Sequence, residues 1–450
     1  MSRKMSCITL LLFALCVGSV SAQPPATLEV ELKEKIKESS DDDSEIATKR
    51  EREEYYELLL VLADTIDQID RNYYEKVSRR ELVEAAIDGA MKKLDAYSDY
   101  IAPDELEEFK VEVENEFGGL GIQISNQTGQ LRVISPLVGT PAYKAGIQAG
   151  DLILKIGDTP TKGLSISDAV KLMKGRAGSD ISLTVFHPSN NTEESLTLMR
   201  EVIKVETVLG DRRGDDDKWN FMYDEEQKIG YVRITTFGRD TAQGLSEVMK
   251  DLKDRDLKGF ILDLRNNPGG LLRSAVEVAD LFLESGTIVT MEGRNVERQQ
   301  WDAIKADTFS GFPMVVLVNQ YSASASEIVS AALQDHERAV IIGQQTFGKA
   351  SVQNVVELED GKSAIKITTG SYTRPSGKPI HRFPDATEWG VKPDANFEVP
   401  LSNYEFSRLN RIRRQRDVVA KQKEEESTAR FDPQLRKALD HLQQQITQNR

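Results

Sequence analysis

Three short segments of this 450-residue chain carry side chains able to do chemistry together. In the first, Ser322-Ala323-Ser324-Ala325-Ser326 follows the apolar run Met314–Val318 and opens a second apolar stretch from Ile328. A serine placed there sits on a sharp strand-to-helix turn. Neighbouring backbone N–H groups and the positive end of the helix can then face a developing oxyanion. On its own the stretch reads first as serines capping a helix. The second segment is Thr346-Phe347-Gly348-Lys349-Ala350, again after an apolar strand. A lysine among small residues can lose its water, and full burial disfavours the ammonium by up to ~3–5 pKa units, leaving a neutral amine as general base. A solvated lysine is the commoner case. The third is Asp263 through Asn266-Asn267-Pro268-Gly269-Gly270. It reads as a plain strand-to-helix loop, or as half of an oxyanion hole whose glycines let N–H groups point at a ligand.

The elements that must hold these segments alternate between strand and helix from about Val205 to Val399. Ile229–Ile234, Phe260–Leu264, Met314–Val318 and Ala339–Ile342 read as strands, the last three nearly all apolar and so covered on both faces. Ala242–Leu252, Leu271–Leu283 and Ser324–Gln334 read as helices, which makes an α/β core. Upstream, Gly119-Leu120-Gly121-Ile122 is a glycine turn entering an alternating strand. Further strands at Leu131–Ile134, Asp151–Ile156 and Ile181–Val185 surround a helix at Ser165–Lys174, for which Ser167 is a plausible cap. This reads as a compact, partly open barrel. Before it, Leu58, Leu59, Leu62, Ile66 and Ile69, and then Leu82 to Leu94, recur at helical spacing. The charged stretch 31–54 reads as a solvated linker or a frayed helix. Beyond Leu401 the chain is helical and charged. A basic run, Arg411–Arg416, faces Glu424–Glu426, and Pro433 begins an amphipathic helix with Leu435, Leu439 and Leu442.

Together the three segments resemble one family, the carboxyl-terminal processing or tail-specific proteases, from about Tyr55 to about Val399. The resemblance implies a Ser/Lys endopeptidase on a crotonase-like core. It makes Ser324 the nucleophile, Lys349 the general base and Gln353 the residue that orients the lysine. The oxyanion hole falls to the amides of Gly270, or alternatively Gly269, and Ala325. Asp335 falls at a further position implicated in some members. Two departures stand out: Ala350 replaces the usual glycine after the lysine, and Leu94-Asp95-Ala96-Tyr97-Ser98 lacks the proline of its counterpart. The middle unit resembles a PDZ domain. Gly119, Leu120, Gly121 and Ile122 would be its carboxylate-binding loop, and Val170 and Met173 would line the pocket for an apolar last residue. The implied partners are proteins or peptides with apolar C-terminal tails. Two other functions share these features: a PDZ scaffold on a silent protease fold, and a CoA-type enzyme on the same fold.

Composition narrows the field. Apolar residues make up 39% and charged residues 29%, which suits a globular multidomain α+β and α/β chain. A net charge of -15 argues against nucleic acid as a partner. Arg3 and Lys4, the apolar run Ile8–Val17 and Val20-Ser21-Ala22 form a secretory signal with a small-x-small cleavage site. The expected destination is a periplasm or the cell exterior, with membrane association left open. Both cysteines, Cys7 and Cys16, lie in that signal, and the histidines show no metal-ligand spacing, so no metal or cofactor is expected. The expected divisions are a signal peptide 1–22, a linker 23–54, a helical unit 55–115, the PDZ unit 116–202, the protease core 203–400 and C-terminal helices 401–450. Apolar stripes on the N-terminal helices and on Pro433–Gln445 suggest a homodimer through terminal helices, and a regulatory partner is left open.

Overall fold

The computed structural model describes residues 43–106, 109, 116–126, 129–214, 216–417 and 428–448. The expected signal peptide, the linker up to residue 42 and Glu424–Glu426 lie outside the described residues. The chain divides into two compact units. The smaller holds described residues 43–103 and 355–367. Its first helix, α1 (Asp43–Asn72), begins inside the stretch that could have been linker, so the frayed-helix alternative is the one realised there. A second helix, α2 (Arg79–Leu94), is tied to α1 by Arg79, which reaches Asp67 and Asp70 at 3.2 and 2.8 Å. A strand at Asp99–Ile101 pairs antiparallel with Ala364–Lys366. Several apolar residues of α1 stay in solvent, Leu58 at 68%, Leu60 at 64% and Val61 at 62% exposed, while Ile66 and Ile69 are half-buried.

The larger unit begins with a β-sheet whose strands lie in the order β1 (Ile122–Ser125), β2 (Leu131–Pro136), β3 (Leu152–Ile156), β4 (Asp180–His187) and β5 (Thr192–Met199). In β2 the sequence alternation maps onto the two faces: Leu131 and Val133 are buried and Ile134 is exposed. A short helix, α3 (Pro141–Lys144), and α4 (Ile166–Met173) complete the layer. The cap of α4 is Ser165, whose Oγ accepts from the Asp168 N–H at 3.1 Å, rather than Ser167.

The rest of this unit is built on four adjacent parallel strands, β6 (Ile229–Ile234), β7 (Gly259–Asp263), β8 (Met314–Val318) and β9 (Val340–Gly343). Every residue of β7 and β8 is buried, because both faces are covered. Phe260, Leu262, Val316 and Val318 face a core shared with α5 (Thr241–Asp254), α6 (Leu272–Asp280) and α7 (Ala325–Asp335). Ile261, Val315 and Leu317 face the other way. Helix α8 (Asn403–Asp417) follows, and then α9 (Pro433–Gln448), whose Leu435, Ala438, Leu439 and Leu442 cover that second face. The apolar stripe of the last helix is therefore consumed within the chain, which corrects the expectation that it could serve a dimer. Two residues of the basic run are also internal, Arg413 pairing with Asp263 and Arg416 with Asp211, while Arg411 and Arg414 are exposed. Two hairpins were not anticipated, Thr287–Gly293 with Val296–Asp302 and β10 (Ser351–Leu358) with β11 (Ser363–Thr373).

Candidate active site

The parallel register brings three chain segments to one edge of the sheet. Asp263 pairs with Leu317, and Leu317 with Ile342, so β7, β8 and β9 end at the same level. The loops that leave them are the three segments singled out by their residue types. The C-terminal edge of parallel strands is where α/β sheets place ligands.

The loops are cross-tied. Asn267 accepts at its carbonyl from the Ala323 N–H at 3.0 Å and from the Ser326 hydroxyl at 2.9 Å. Ser322 donates its hydroxyl to the Leu264 carbonyl at 2.8 Å and accepts from the Asn319 N–H at 2.9 Å. The outer serines of the run are thus structural. Ser324 differs: its Oγ is buried and has no hydrogen-bond partner among the described residues. It is also the N-cap of α7 with φ 55° and ψ -114°, a left-handed conformation that costs a non-glycine residue roughly 1–3 kcal/mol. Its hydroxyl does not cap the helix. The helix-cap alternative fails for this serine and holds for neither neighbour in that form.

The Asn266–Gly270 turn lies against the nucleophile loop. A Cβ on Gly269, whose φ is +114°, would fall 2.8 Å from Ser324 Cβ and 3.1 Å from the Ala325 nitrogen, so the backbone approaches as closely as it can. The Gly269 N–H is already spent on the Asn267 side chain at 2.8 Å. Its carbonyl accepts from the Phe237 N–H at 2.9 Å. That pattern leaves the N–H groups of Gly270 and Ala325 as the candidates for an oxyanion.

Lys349 is 2% and Gln353 3% exposed. The Gln353 amide nitrogen donates to Ser351 Oγ at 2.9 Å and to Thr368 Oγ1 at 3.1 Å, which fixes the orientation of the amide. Ala350 is buried and keeps an ordinary backbone conformation, its carbonyl accepting from the Tyr372 N–H at 2.7 Å. Alanine in place of glycine therefore introduces no strain there.

One residue joins the serine and lysine loops, and the sequence reading had given it no role. Glu327, on the first turn of α7, is fully buried. Its Oε2 accepts from the Ser324 N–H at 2.8 Å and the Lys349 N–H at 2.8 Å. Its Oε1 accepts from the Gly348 N–H at 2.7 Å and the Thr346 hydroxyl at 2.6 Å. Thr346 in turn accepts from the Val391 N–H at 2.7 Å. Burial pushes the Glu327 carboxyl up to about 7, against the pull of these hydrogen bonds. The signal was present as Ser324-x-x-Glu327, the spacing at which a glutamate reaches back to the N-cap amide. Asp335 stands at the far end of α7. It pairs with the buried Arg374 at 2.6 Å and accepts from the Ser376 N–H at 3.0 Å, so it anchors the chain after β11.

In the PDZ-like unit, β1 is an edge strand, and Ala169 and Met173 of α4 share the core of its sheet. The Leu120 carbonyl accepts from the Ala142 N–H at 3.0 Å and the Gly121 carbonyl from the Leu137 N–H at 2.8 Å. Both carbonyls are turned inward. Leu120 and Met173 are buried, Val170 and Ile122 half-buried, and Gly119 is buried at the end of the preceding strand.

Residues 228–397 match the model of peptidase family S41, residues 132–185 that of a PDZ domain, and residues 25–105 that of the activating protease CtpB N-terminal domain. The chain is 37% identical over 361 residues to a carboxy-terminal-processing protease of Bartonella bacilliformis, spanning 79% of this chain and 78% of that one. It is 34% identical over 336 residues to the carboxy-terminal processing protease CtpA of Bacillus subtilis, spanning 74% and 68%. Among solved structures, a photosystem II D1 C-terminal processing protease is 28% identical over 76% of this chain and 92% of that one, with a TM-score of 0.44.

Proposed function

The chain belongs to the carboxy-terminal processing proteases of peptidase family S41 and is a serine-type peptidase with a PDZ domain, and from that premise we propose that Ser324 and Lys349 form its catalytic pair. The observation that carries this reading is the uncommitted Ser324 hydroxyl on a strained elbow, between two serines whose hydroxyls are bonded. Lys349, buried in the loop after β9, takes the Ser324 proton as Oγ attacks the scissile carbonyl. The Gly270 and Ala325 amides receive the resulting oxyanion. Gln353 acts as a positioning residue, since its amide nitrogen is held elsewhere and its oxygen is the atom left to orient an amine. The protonated lysine then gives its proton to the leaving nitrogen, and water releases the acyl group by the same route in reverse. Ser324 is fully buried, so substrate entry requires the surrounding loops to part.

The PDZ unit recognises the substrate's C-terminal tail. The Leu120 and Gly121 carbonyls are turned inward, and the backbone N–H groups of the Gly119–Ile122 loop meet the terminal carboxylate. The tail adds beside β1, and its last apolar side chain enters beside Val170 and Met173. The protein is exported through its N-terminal signal, and it pairs through the exposed apolar residues of α1. The test is cleavage of one flexible model protein ending in Ala-Ala, in Asp-Asp or in an amide, by wild type, Ser324→Ala and Lys349→Arg. The Ala-Ala substrate should be cut fastest by wild type and not at all by either variant. Equal rates for the three tails remove the PDZ role, and turnover by Ser324→Ala removes the serine.

A further inference from the structure

All the groups that meet Glu327 are hydrogen-bond donors. Three are backbone N–H groups, of Ser324, Gly348 and Lys349, and the fourth is the Thr346 hydroxyl. That hydroxyl is itself committed as an acceptor to Val391. A carboxylate is the one side chain of this shape that accepts on both oxygens. The two residues that Oε2 holds are the serine proposed as nucleophile and the lysine proposed as base. They come from different strands, β8 and β9, and meet at no covalent connection shorter than the whole of α7 and β9. A helix cap needs only the Ser324 contact. The Gly348 and Lys349 contacts have no part in capping, so the arrangement is larger than its helix requires.

We infer that Glu327 is a positioning residue which, as a carboxylate, sets the register between the Ser324 elbow and the Lys349 loop. The inference rests on the Ser324–Lys349 reading and deepens it. Glu327 touches no substrate and exchanges no proton with it. It fixes where the two reacting side chains begin, and small displacements of such groups are costly in rate. Protonation undoes the arrangement, because the added proton on either oxygen faces a donor. Lys349 is the one ionisable residue among its partners, and it meets Glu327 through its backbone N–H. Gly390 packs beside Oε1 without bringing a charge.

Glutamine keeps the shape and removes the property. Whichever way the Glu327→Gln amide is turned, its NH2 meets at least one fixed backbone N–H. Leaving such donors unpaired should lower kcat by about 10- to 100-fold if the loss falls on the productive arrangement. KM for a short peptide should stay within about 3-fold, since no substrate contact changes. The pH profile separates positioning from mere support. In wild type the acid limb of log kcat/KM should steepen from slope one to slope two below about pH 7, where Glu327 as well as Lys349 takes up a proton. In Glu327→Gln the slope should stay at one.

The experiment measures kcat, KM and the pH profile of the full chain on a short internally quenched peptide for wild type, Glu327→Gln, Thr346→Val, Thr346→Ser and Ser324→Ala. Thr346→Val deletes one donor to Oε1 and should lose kcat at least about 5-fold, while Thr346→Ser keeps the hydroxyl and should retain it. This pair decides the matter if Glu327→Gln does not fold. A Glu327→Gln enzyme with wild-type kcat, one that keeps a slope of two, or a Thr346→Val enzyme equal to Thr346→Ser would each overturn the inference. Activity in Ser324→Ala would instead remove the underlying Ser324–Lys349 reading, which Glu327→Gln and Thr346→Val leave untouched.

Discussion

The last helix is held to the protease core by one buried charge network, and its strength can be predicted. Arg265, just after β7, points its guanidinium at Asp263 and Asp432, with nitrogen–oxygen distances of 2.7 and 2.8 Å and all three side chains essentially without solvent. It also donates to Gln434 Oε1 at 2.8 Å. Arg413 adds a second cation on Asp263, and the Tyr231 hydroxyl donates to the same carboxylate at 2.7 Å. Burial would raise the Asp263 carboxyl, but Arg265 and then Arg413 outweigh it and hold it well below the usual range. Two arginines and two aspartates make the network neutral. Arg265→Met leaves Asp263 with Arg413 and Tyr231, but leaves Asp432 with only the N–H groups of Gln434 and Leu435, each at 3.1 Å. A buried charge stranded in this way costs about 3–5 kcal/mol. The double variant Arg265→Met/Asp432→Leu restores neutrality in similar volume, and replacement of a whole buried pair by apolar residues is often close to neutral, within about 1 kcal/mol.

The assay is amide hydrogen exchange across α9, where local opening exposes the Leu435–Leu442 face and reports the free energy of detaching the helix. Arg265→Met should speed exchange there by about 100- to 4,000-fold, as 3–5 kcal/mol at 1.4 kcal/mol per factor of ten requires. The double variant should recover most of that protection. If Arg265→Met changes exchange less than about 5-fold, or the double variant is as labile as the single, the stranded Asp432 is not what the change exposes, and the reasoning fails.

Other outcomes follow from the same geometry. Gly121→Ala should abolish tail preference while sparing cleavage of short peptides, because its φ is +71° and a Cβ would fall 2.4 Å from Thr140; isothermal titration with an Ala-Ala peptide checks it. Asp335→Asn should destabilise the chain after β11. Burial raises the Asp335 carboxyl, but the hydrogen bond from Arg374 outweighs it, so its contribution is present above the ordinary carboxylate pKa and lost as pH falls through the lowered one; in urea melts the gap to wild type should narrow as the pH is taken below the ordinary carboxylate range. Glu327 carries the opposite sign. Its raised carboxyl gives a contribution fully present below the ordinary range and lost as pH rises through about 7, so wild type relative to Glu327→Gln should lose on the order of 3 kcal/mol between pH 4.5 and 8 in urea denaturation.

Much of this was readable from residue pattern, and the exceptions have physical causes. Strands β7 and β8 announce burial on both faces because Phe260–Leu262 and Met314–Val318 are so uniformly apolar. The pattern did not say what covers the second face. Leu435, Leu439 and Leu442 form a stripe that fits a partner chain or the helix's own sheet equally well, and only the parallel order of β6 to β9 shows which. The Ser351–Leu358 and Ser363–Thr373 hairpin was missed although Ile365 and Ile367 alternate, because its residues stay half-buried and polar at intervals. Within the site, Ser324, Lys349 and the glycine turn were legible as residue types. The backbone strain at Ser324, the commitment of the Gly269 N–H and the reach of Glu327 to Lys349 were not, since each depends on which loops the sheet register sets side by side.

Glu327 sets stability against activity within one residue. As a neutral acid it would be the less costly buried group, because desolvation penalises only the charged form. As a carboxylate it satisfies every donor around it, three of them backbone N–H groups that no water reaches. A leucine there would avoid the charge but strand those amides. A glutamine would satisfy some and oppose others. The carboxylate is thus the one choice that leaves no donor in the cage unpaired, and its cost is concentrated in the pH range where the lysine must also be neutral for the Ser324 reaction. The direction in which the contribution of Glu327 to stability is lost, rising pH, is then the direction in which the proposed catalytic pair becomes competent. The bonds that accompany ionisation tie Ser324 to Lys349, so the free energy that the fold gives up appears as order at the place where the reaction needs it.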